Sequence, residues 1–142
     1  MTDNTRAETP KPIPFALYDM VDSDERNKFV PVTPPDHNGV QVFHSEALRF
    51  GHYYLIVFRR KDGDEDHNYL TFQQGAVKEV GMNGLTSEAL LQILIHRTEC
   101  LDVEFPCKEN TTAIRAMTDA LNAFNERTEN RMKRGVEGQS KP

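Results

Sequence analysis

The sequence lacks any hydrophobic run long enough to cross a membrane, and its polar first fourteen residues contain no apolar segment of the kind found in signal peptides. We therefore expect neither membrane insertion nor secretion, and a cytoplasmic location by default. Cysteine is also scarce, since Cys100 and Cys107 are the only two. A lone pair in a cytoplasmic chain is expected to be two reduced thiols rather than a disulfide.

An excess of positive charge is missing as well. The formal net charge is -5, with 17 basic and 22 acidic residues. A protein that binds nucleic acid without regard to sequence needs a positive surface, so this balance argues against such a function and predicts no DNA partner. Any anion-binding site must be local.

Motifs for catalysis and for metal binding are absent too. There is no G-x-S-x-G, no P-loop and no G-x-G-x-x-G, and the five histidines have no spacing typical of zinc ligands. Asp62, Asp64 and Asp66 match the start of a calcium-binding loop, but His67 replaces the required glycine and Gln73 the closing glutamate. We predict a solvated acidic turn, no metal, no cofactor and no enzymatic activity.

The first half of the chain reads as an arm followed by a small, mostly antiparallel β-sheet. Residues 1–14 are polar and proline-bearing, which predicts a disordered arm, and residues 15–75 form a β-rich region. Within it the sequence predicts strands at 15–20, 40–44, 52–60 and 68–73, with a brief edge pairing at 29–32. The segment 62–68 is predicted as a polar connection, and 75–84 as a linker or irregular strand.

Two helices are predicted in residues 76–138, as a hairpin that completes an α+β fold, before a mobile tail at 139–142. Thr86 can cap the first helix, which is predicted to end near Thr98, and residues 100–106 turn the chain back. This helix has one thin polar strip, made of Glu88, Gln92, His96 and Glu99. Most of its remaining surface is apolar, comprising Leu90, Leu91, Ile93, Leu94 and Ile95. One partner helix cannot bury so much surface, which predicts an oligomer.

The second helix changes character along its length. Ile114, Met117, Leu121 and Phe124 recur at helical spacing, and the same spacing then reaches Thr128 and Arg131. Residues 127–134 contain four cations and one acid. Arginines that continue an apolar stripe are typical of a helix end that faces an anion. The alternative is a solvated helix end whose cations favour the macrodipole.

The helical half resembles a known family. Three segments carry the resemblance in this order: VKEVGMNGLTSEALLQILIHR, FPCKEN and NERTENRMKRGVEG. Residues 77–138 are similar to the phage sponges called Thoeris anti-defence proteins of type one, which share a helical hairpin with the anti-CBASS sponges. The resemblance implies a phage protein without enzymatic activity that acts in the host cell cytoplasm. It would bind a glycocyclic ADP-ribose, and possible further ligands are cyclic di- and trinucleotides at separate pockets of a homohexamer.

The resemblance also implies binding residues. The asparagine of the C-x-E-N segment is Asn110, and the first arginine of R-T-x-x-R-x-x-R-G-V-E-G is Arg127. Relatives carry an aromatic residue ten positions before that asparagine, where this chain has Cys100. Either Leu101 or Phe105 replaces it, or the ligand preference differs.

Spacing adds a constraint on these residues. Asn110 and Arg127 are seventeen residues apart, which is about 25 Å along a continuous helix and farther than one small cyclic nucleotide reaches. We therefore predict a homodimer in which each pocket takes Asn110 from one chain and Arg127 from the other. Secondary candidates for ligand contacts are Thr128, Arg131 and Arg134, followed by Lys78 and Asn83.

Two other functions are left open by the sequence. The hairpin could be a structural or host-takeover module that binds a protein, with the arginines pairing acidic groups on the partner. The protein could also be an enzyme that cleaves the signalling nucleotide.

Overall fold

The computed structural model describes residues 29–45, 51–135 and 139 of the chain. The chain divides into two compact units, Met1–Gln74 and Gly75–Pro142. The predicted arm at 1–14 and the predicted strand at 15–20 lie outside the described residues, as do the last three residues of the predicted tail. The predicted α+β class is confirmed, with a sheet in the first unit and helices in the second.

The first unit contains a four-stranded antiparallel sheet in the order β1-β2-β3-β4. Its strands are β1 (Phe29–Pro31), β2 (Gln41–Ser45), β3 (Tyr53–Arg59) and β4 (Glu65–Thr71). Strand β3 pairs with both β2 and β4, as expected for its run of aromatic and β-branched residues. Tyr53 and Leu55 on this strand are only 4% and 7% exposed, so the core of the sheet lies along one face of β3.

The connection from β3 to β4 is tighter than predicted. Strand β4 begins at Glu65, whereas the sequence placed residues 62–68 in a loop. The turn is closed by backbone hydrogen bonds from Arg60 N–H to the Asp64 carbonyl and from Gly63 N–H to the Arg60 carbonyl. The Arg60 guanidinium also lies 3.3 Å from Asp62, 3.3 Å from Asp64 and 3.8 Å from Asp66, so one cation faces three carboxylates of the acidic run.

The second unit begins with a helix that the sequence interpretation missed. Helix α1 (Val77–Val80) lies in the segment predicted as a linker or irregular strand, and a four-residue helix is too short to show a periodicity. Gly75 precedes it with φ +85°, and a Cβ at this position would lie 3.1 Å from Val80 Cγ2. The chain therefore needs glycine here, both for the left-handed backbone and for the close approach of Val80.

Helix α2 (Ser87–Glu104) begins as predicted, because the Thr86 hydroxyl accepts a hydrogen bond of 3.1 Å from the Ala89 N–H. Its predicted end at Thr98 is wrong. The Thr98 hydroxyl donates to the Leu94 carbonyl, four residues earlier, and the helix continues for six more residues. The turn is therefore confined to residues 105–107, after which helix α3 (Lys108–Lys133) runs without interruption.

Helices α2 and α3 pack against each other through one apolar seam. Leu91 and Ile95 on α2 are half-buried, as are Ile114, Met117 and Leu121 on α3. No residue within these two helices is fully buried, and Ile93 and Leu94 on α2 are 55% and 40% exposed. The hairpin therefore leaves an apolar strip of α2 uncovered. Among the described residues, no helix has both the length and the apolarity that a membrane span requires.

Candidate functional site

The turn of the hairpin holds Asn110 in a defined position. Its side-chain Nδ2 donates to Asp102 Oδ1 and to the Phe105 carbonyl, each at 3.3 Å. Asp102 Oδ1 also accepts a hydrogen bond of 3.2 Å from the Cys107 N–H, at the cap of α3. The last full turn of α2 thereby fixes the start of α3, and Asn110 presents its Oδ1 as an acceptor.

Phe105 lies beside this asparagine. Its backbone carbonyl accepts the Asn110 amide, while its side chain is 66% exposed. Leu101, one helical turn earlier on α2, is 36% exposed. The two residues proposed from the sequence to replace the missing aromatic are therefore both accessible at the turn, and Phe105 is the one in contact with Asn110.

The far end of α3 carries the cations. Arg127 and Arg134 are exposed, whereas Thr128 and Arg131 are half-buried. Arg131 Nη2 donates a hydrogen bond of 2.7 Å to the Gln139 carbonyl, so part of its guanidinium serves to hold the chain that follows α3. Arg127 is exposed and has no hydrogen bond or ion pair with the residues that the structure describes.

The remaining candidates lie on other elements. Lys78 is exposed on α1, and Asn83 is half-buried in the connection between α1 and α2. Cys100, at the position where an aromatic was expected, is exposed on α2.

Because α3 is continuous, the candidates within one chain form two separate groups. Asn110 lies in its first turn and Arg127 lies seventeen residues later, a separation of about 25 Å. Leu101 and Phe105 accompany Asn110, while Thr128, Arg131 and Arg134 accompany Arg127. The structure does not bring the two groups together within one chain.

Asp102 is the residue of this region that the sequence analysis missed. It lies on the half-buried side of α2, eight residues before Asn110. A carboxylate flanked by Leu101 and Val103, close to a turn, was the available signal, since a half-buried carboxylate there needs hydrogen-bond donors. Elsewhere, no group of three or more His, Cys, Asp or Glu in the described part of the chain could hold a metal ion.

Comparison with known proteins finds a family model that is similar to part of the chain. Residues 64–129, a little under half of the chain, match the family described as the Acb2/Tad1 hairpin domain. The resemblance to Thoeris anti-defence proteins of type one is thereby confirmed. The matched Acb2/Tad1 segment begins earlier than the predicted 77 and ends before Arg131, so Asn110, Arg127 and Thr128 lie within it whereas Arg131 and Arg134 lie beyond it.

A named relative supports the same assignment. The chain is 43% identical over 70 residues to a protein of Bacillus phage SBSphiJ7 named "Thoeris anti-defense 1". The aligned residues make up 49% of this chain and 49% of that protein, so the similarity spans about half the length of the curated relative.

Proposed function

We propose that this chain is a phage anti-defence protein directed against Thoeris, and that it acts by binding the signalling nucleotide of the host. Its ligand is a glycocyclic ADP-ribose, with cyclic di- and trinucleotides as further candidates, and it holds the nucleotide without cleaving it. The Acb2/Tad1 hairpin at 64–129 and the similarity to a protein named for opposing Thoeris support this proposal.

The observation that carries the proposal is the unbroken length of α3. One helix bears an amide fixed at its start and an exposed arginine near its end. These groups suit the ribose and the phosphates of a nucleotide, but their separation prevents one chain from using both on one small ligand. A second copy of the chain, with its α3 antiparallel to the first, brings Arg127 of one protomer to Asn110 of the other.

The hydrogen bonds at the turn support the role that we propose for Asn110. Because Asn110 Nδ2 is occupied by Asp102 and Phe105, Asn110 acts through Oδ1, which accepts a proton from a ribose hydroxyl or a base amino group. Arg127 donates in a bidentate manner to a phosphate. The exposed ring of Phe105 covers the base, and the further phosphate donors are Thr128, Arg131, Arg134, Lys78 and Asn83.

Assembly follows from the same hairpin. The uncovered apolar strip on α2 is the surface through which protomers associate, first as dimers and then as a homohexamer. A dimer arranged around a two-fold axis has two equivalent pockets.

Calorimetric titration with cyclic ADP-ribose isomers and with cyclic dinucleotides tests this function. The protein should bind at least one cyclic ADP-ribose isomer, and heating the complex should return the ligand with its mass and chromatographic retention unchanged. A cleaved product would instead show an enzyme. No binding to any of these nucleotides would favour a module that binds a protein.

Matched variants locate the site in the same titration. Arg127→Ala should weaken binding at least about tenfold, because a lost charge-assisted hydrogen bond costs roughly 1.5–3 kcal/mol. Arg115→Ala removes the same exposed cation from the same helix, away from the cationic end, and should bind as the unmodified protein does. Equal effects of the two changes would contradict the assignment of Arg127.

A further inference from the structure

Helix α2 carries a thiol and an imidazole side by side, in a position that the proposed function does not use. Cys100 Sγ lies 3.7 Å from Nε2 and 4.0 Å from Nδ1 of His96. The two residues are four apart, on the same side of the helix, and both are exposed. The pair is therefore open to solvent and to ions.

The separation of these atoms matches that of two ligands on one zinc ion. Zinc binds thiolate sulfur at about 2.3 Å and imidazole nitrogen at about 2.0 Å, and a tetrahedral angle between them places the two ligand atoms roughly 3.5 Å apart. The observed 3.7 Å between Cys100 Sγ and His96 Nε2 differs little from this value. Both side chains are exposed, and rotation of the imidazole about its Cβ–Cγ bond is soft for histidine, so the ring can adjust to an ion.

We propose that His96 and Cys100 form a two-ligand chelate for a borderline-soft divalent cation such as Zn²⁺. Sulfur and nitrogen donors select zinc over magnesium or calcium, which require oxygen ligands. On binding, the thiol proton is released to solvent, the sulfur–zinc bond forms, and no oxidation or reduction takes place. Two water molecules complete the tetrahedron, because the described residues offer no third protein ligand.

Cys107 provides an internal control because it is the second exposed thiol. Its neighbours four residues away in either direction are Val103 and Thr111, neither of which is a metal ligand. Serine is a favoured N-cap residue, so Cys107→Ser should leave the start of α3 intact.

Alkylation of the untagged full-length protein tests the chelate without any substitution. Limiting iodoacetamide is added with and without Zn²⁺, and the modified cysteines are identified by peptide mass spectrometry. Zinc should slow the modification of Cys100 and leave the rate at Cys107 unchanged. Equal protection of both thiols, or of neither, would overturn the proposal.

Co²⁺ titration identifies the ligands spectroscopically. The unmodified protein and Cys107→Ser should show a near-ultraviolet sulfur-to-cobalt charge-transfer band that Cys100→Ser lacks. His96→Gln should move the titration midpoint at least about tenfold, since losing even an outer-shell partner commonly costs tenfold in metal affinity. A band that persists in Cys100→Ser, or a midpoint that His96→Gln leaves unchanged, would refute the pair. These measurements use no nucleotide, so their outcome is independent of the proposed function.

Discussion

Asn110 and Asp102 are joined across the hairpin turn by a hydrogen bond of 3.3 Å from Nδ2 to Oδ1. The same carboxylate oxygen accepts the Cys107 N–H. A residue on α2 therefore sets the orientation of the amide that we assign to ligand binding on α3.

Asp102→Ala should destabilise the fold and weaken nucleotide binding. It removes the acceptor of two hydrogen bonds in a half-buried position, which costs about 1–3 kcal/mol of the free energy of unfolding. Urea denaturation followed by circular dichroism measures this loss. Asp102→Asn retains an acceptor oxygen, so its stability should lie between that of the unmodified protein and that of Asp102→Ala.

Asp119→Ala is the matched control for this change. Asp119 is exposed on α3 and has no hydrogen bond or ion pair among the residues that the structure describes. Its replacement should alter stability by no more than about 0.5 kcal/mol. If Asp102→Ala and Asp119→Ala lose the same free energy of unfolding, the Asp102 carboxylate does not hold the turn.

Gly75→Ala should be more costly than the same change at Gly63. Both glycines have positive φ, +85° and +93°, so alanine carries a backbone penalty of roughly 1–2 kcal/mol at either position. Only at Gly75 would the new methyl group also meet Val80 Cγ2, at 3.1 Å, whereas nothing lies within 4 Å of a Cβ at Gly63. Thermal unfolding of the two variants compares the penalties.

The double variant Gly75→Ala with Val80→Ala checks the cause. Removing the valine methyl groups should recover part of the stability lost at Gly75. If the double variant loses more stability than the two single variants lose together, Val80 is not the residue that clashes with the new methyl group.

Asn110→Ala and Arg127→Ala, each impaired in nucleotide binding by itself, should restore binding when they pair with each other, if each pocket is shared between chains. In a mixed dimer of Asn110→Ala with Arg127→Ala, one pocket retains both residues and the other retains neither. In the mixed dimers isolated by tandem purification, about one half of the pockets should therefore bind. Co-expression of differently tagged chains, tandem purification and titration measure the recovery.

Each variant co-expressed with itself serves as the control for this experiment and should remain impaired in nucleotide binding. A mixed dimer that forms but binds no nucleotide would mean that the two residues do not share a pocket across chains. Nucleotide binding by either variant alone would instead show that the replaced residue does not contact the ligand.

Leu94→Asp should reduce the oligomeric state. Leu94 belongs to the uncovered strip of α2, and a carboxylate there would be desolvated by a partner, which strongly opposes association. Val103→Asp places the same charge on the same helix about two and a half turns later, on the opposite side, where the side chain is 87% exposed. Sedimentation velocity should show smaller species for Leu94→Asp only, and equal masses would exclude this strip from the interface.

The sequence predicted the elements whose periodicity is long or uninterrupted. Strand β3 was predicted from its unbroken run of aromatic and β-branched residues, and helix α3 from apolar residues that recur at helical spacing. Helix α1 is too short to have a period, and the end of α2 was misplaced because Thr98 satisfies its hydroxyl within the helix and does not stop it. The β3–β4 turn was predicted as longer than it is, because its backbone hydrogen bonds and the approach of three carboxylates to Arg60 are contacts that linear charge spacing does not reveal.

The candidate site was less accessible to sequence reasoning than the fold. Asn110 and Arg127 came from the resemblance to a family, and the helical rise then showed that one chain could not join them. Asp102 was missed because its role depends on a contact that crosses the turn. The spacing of His96 and Cys100 was visible in the sequence. It indicated a pair only once the structure showed the two side chains in contact.

Helices α2 and α3 contain no fully buried residue, and this affects their stability at low protein concentration. Ordering two helices costs conformational entropy, and the half-buried apolar seam between them stabilises the folded state too little to offset this cost well. In the proposed oligomer, folding of this half would be coupled to association, and its melting temperature should rise with protein concentration. At low concentration the number of protomers available to pair would therefore limit how many of the proposed two-chain pockets exist.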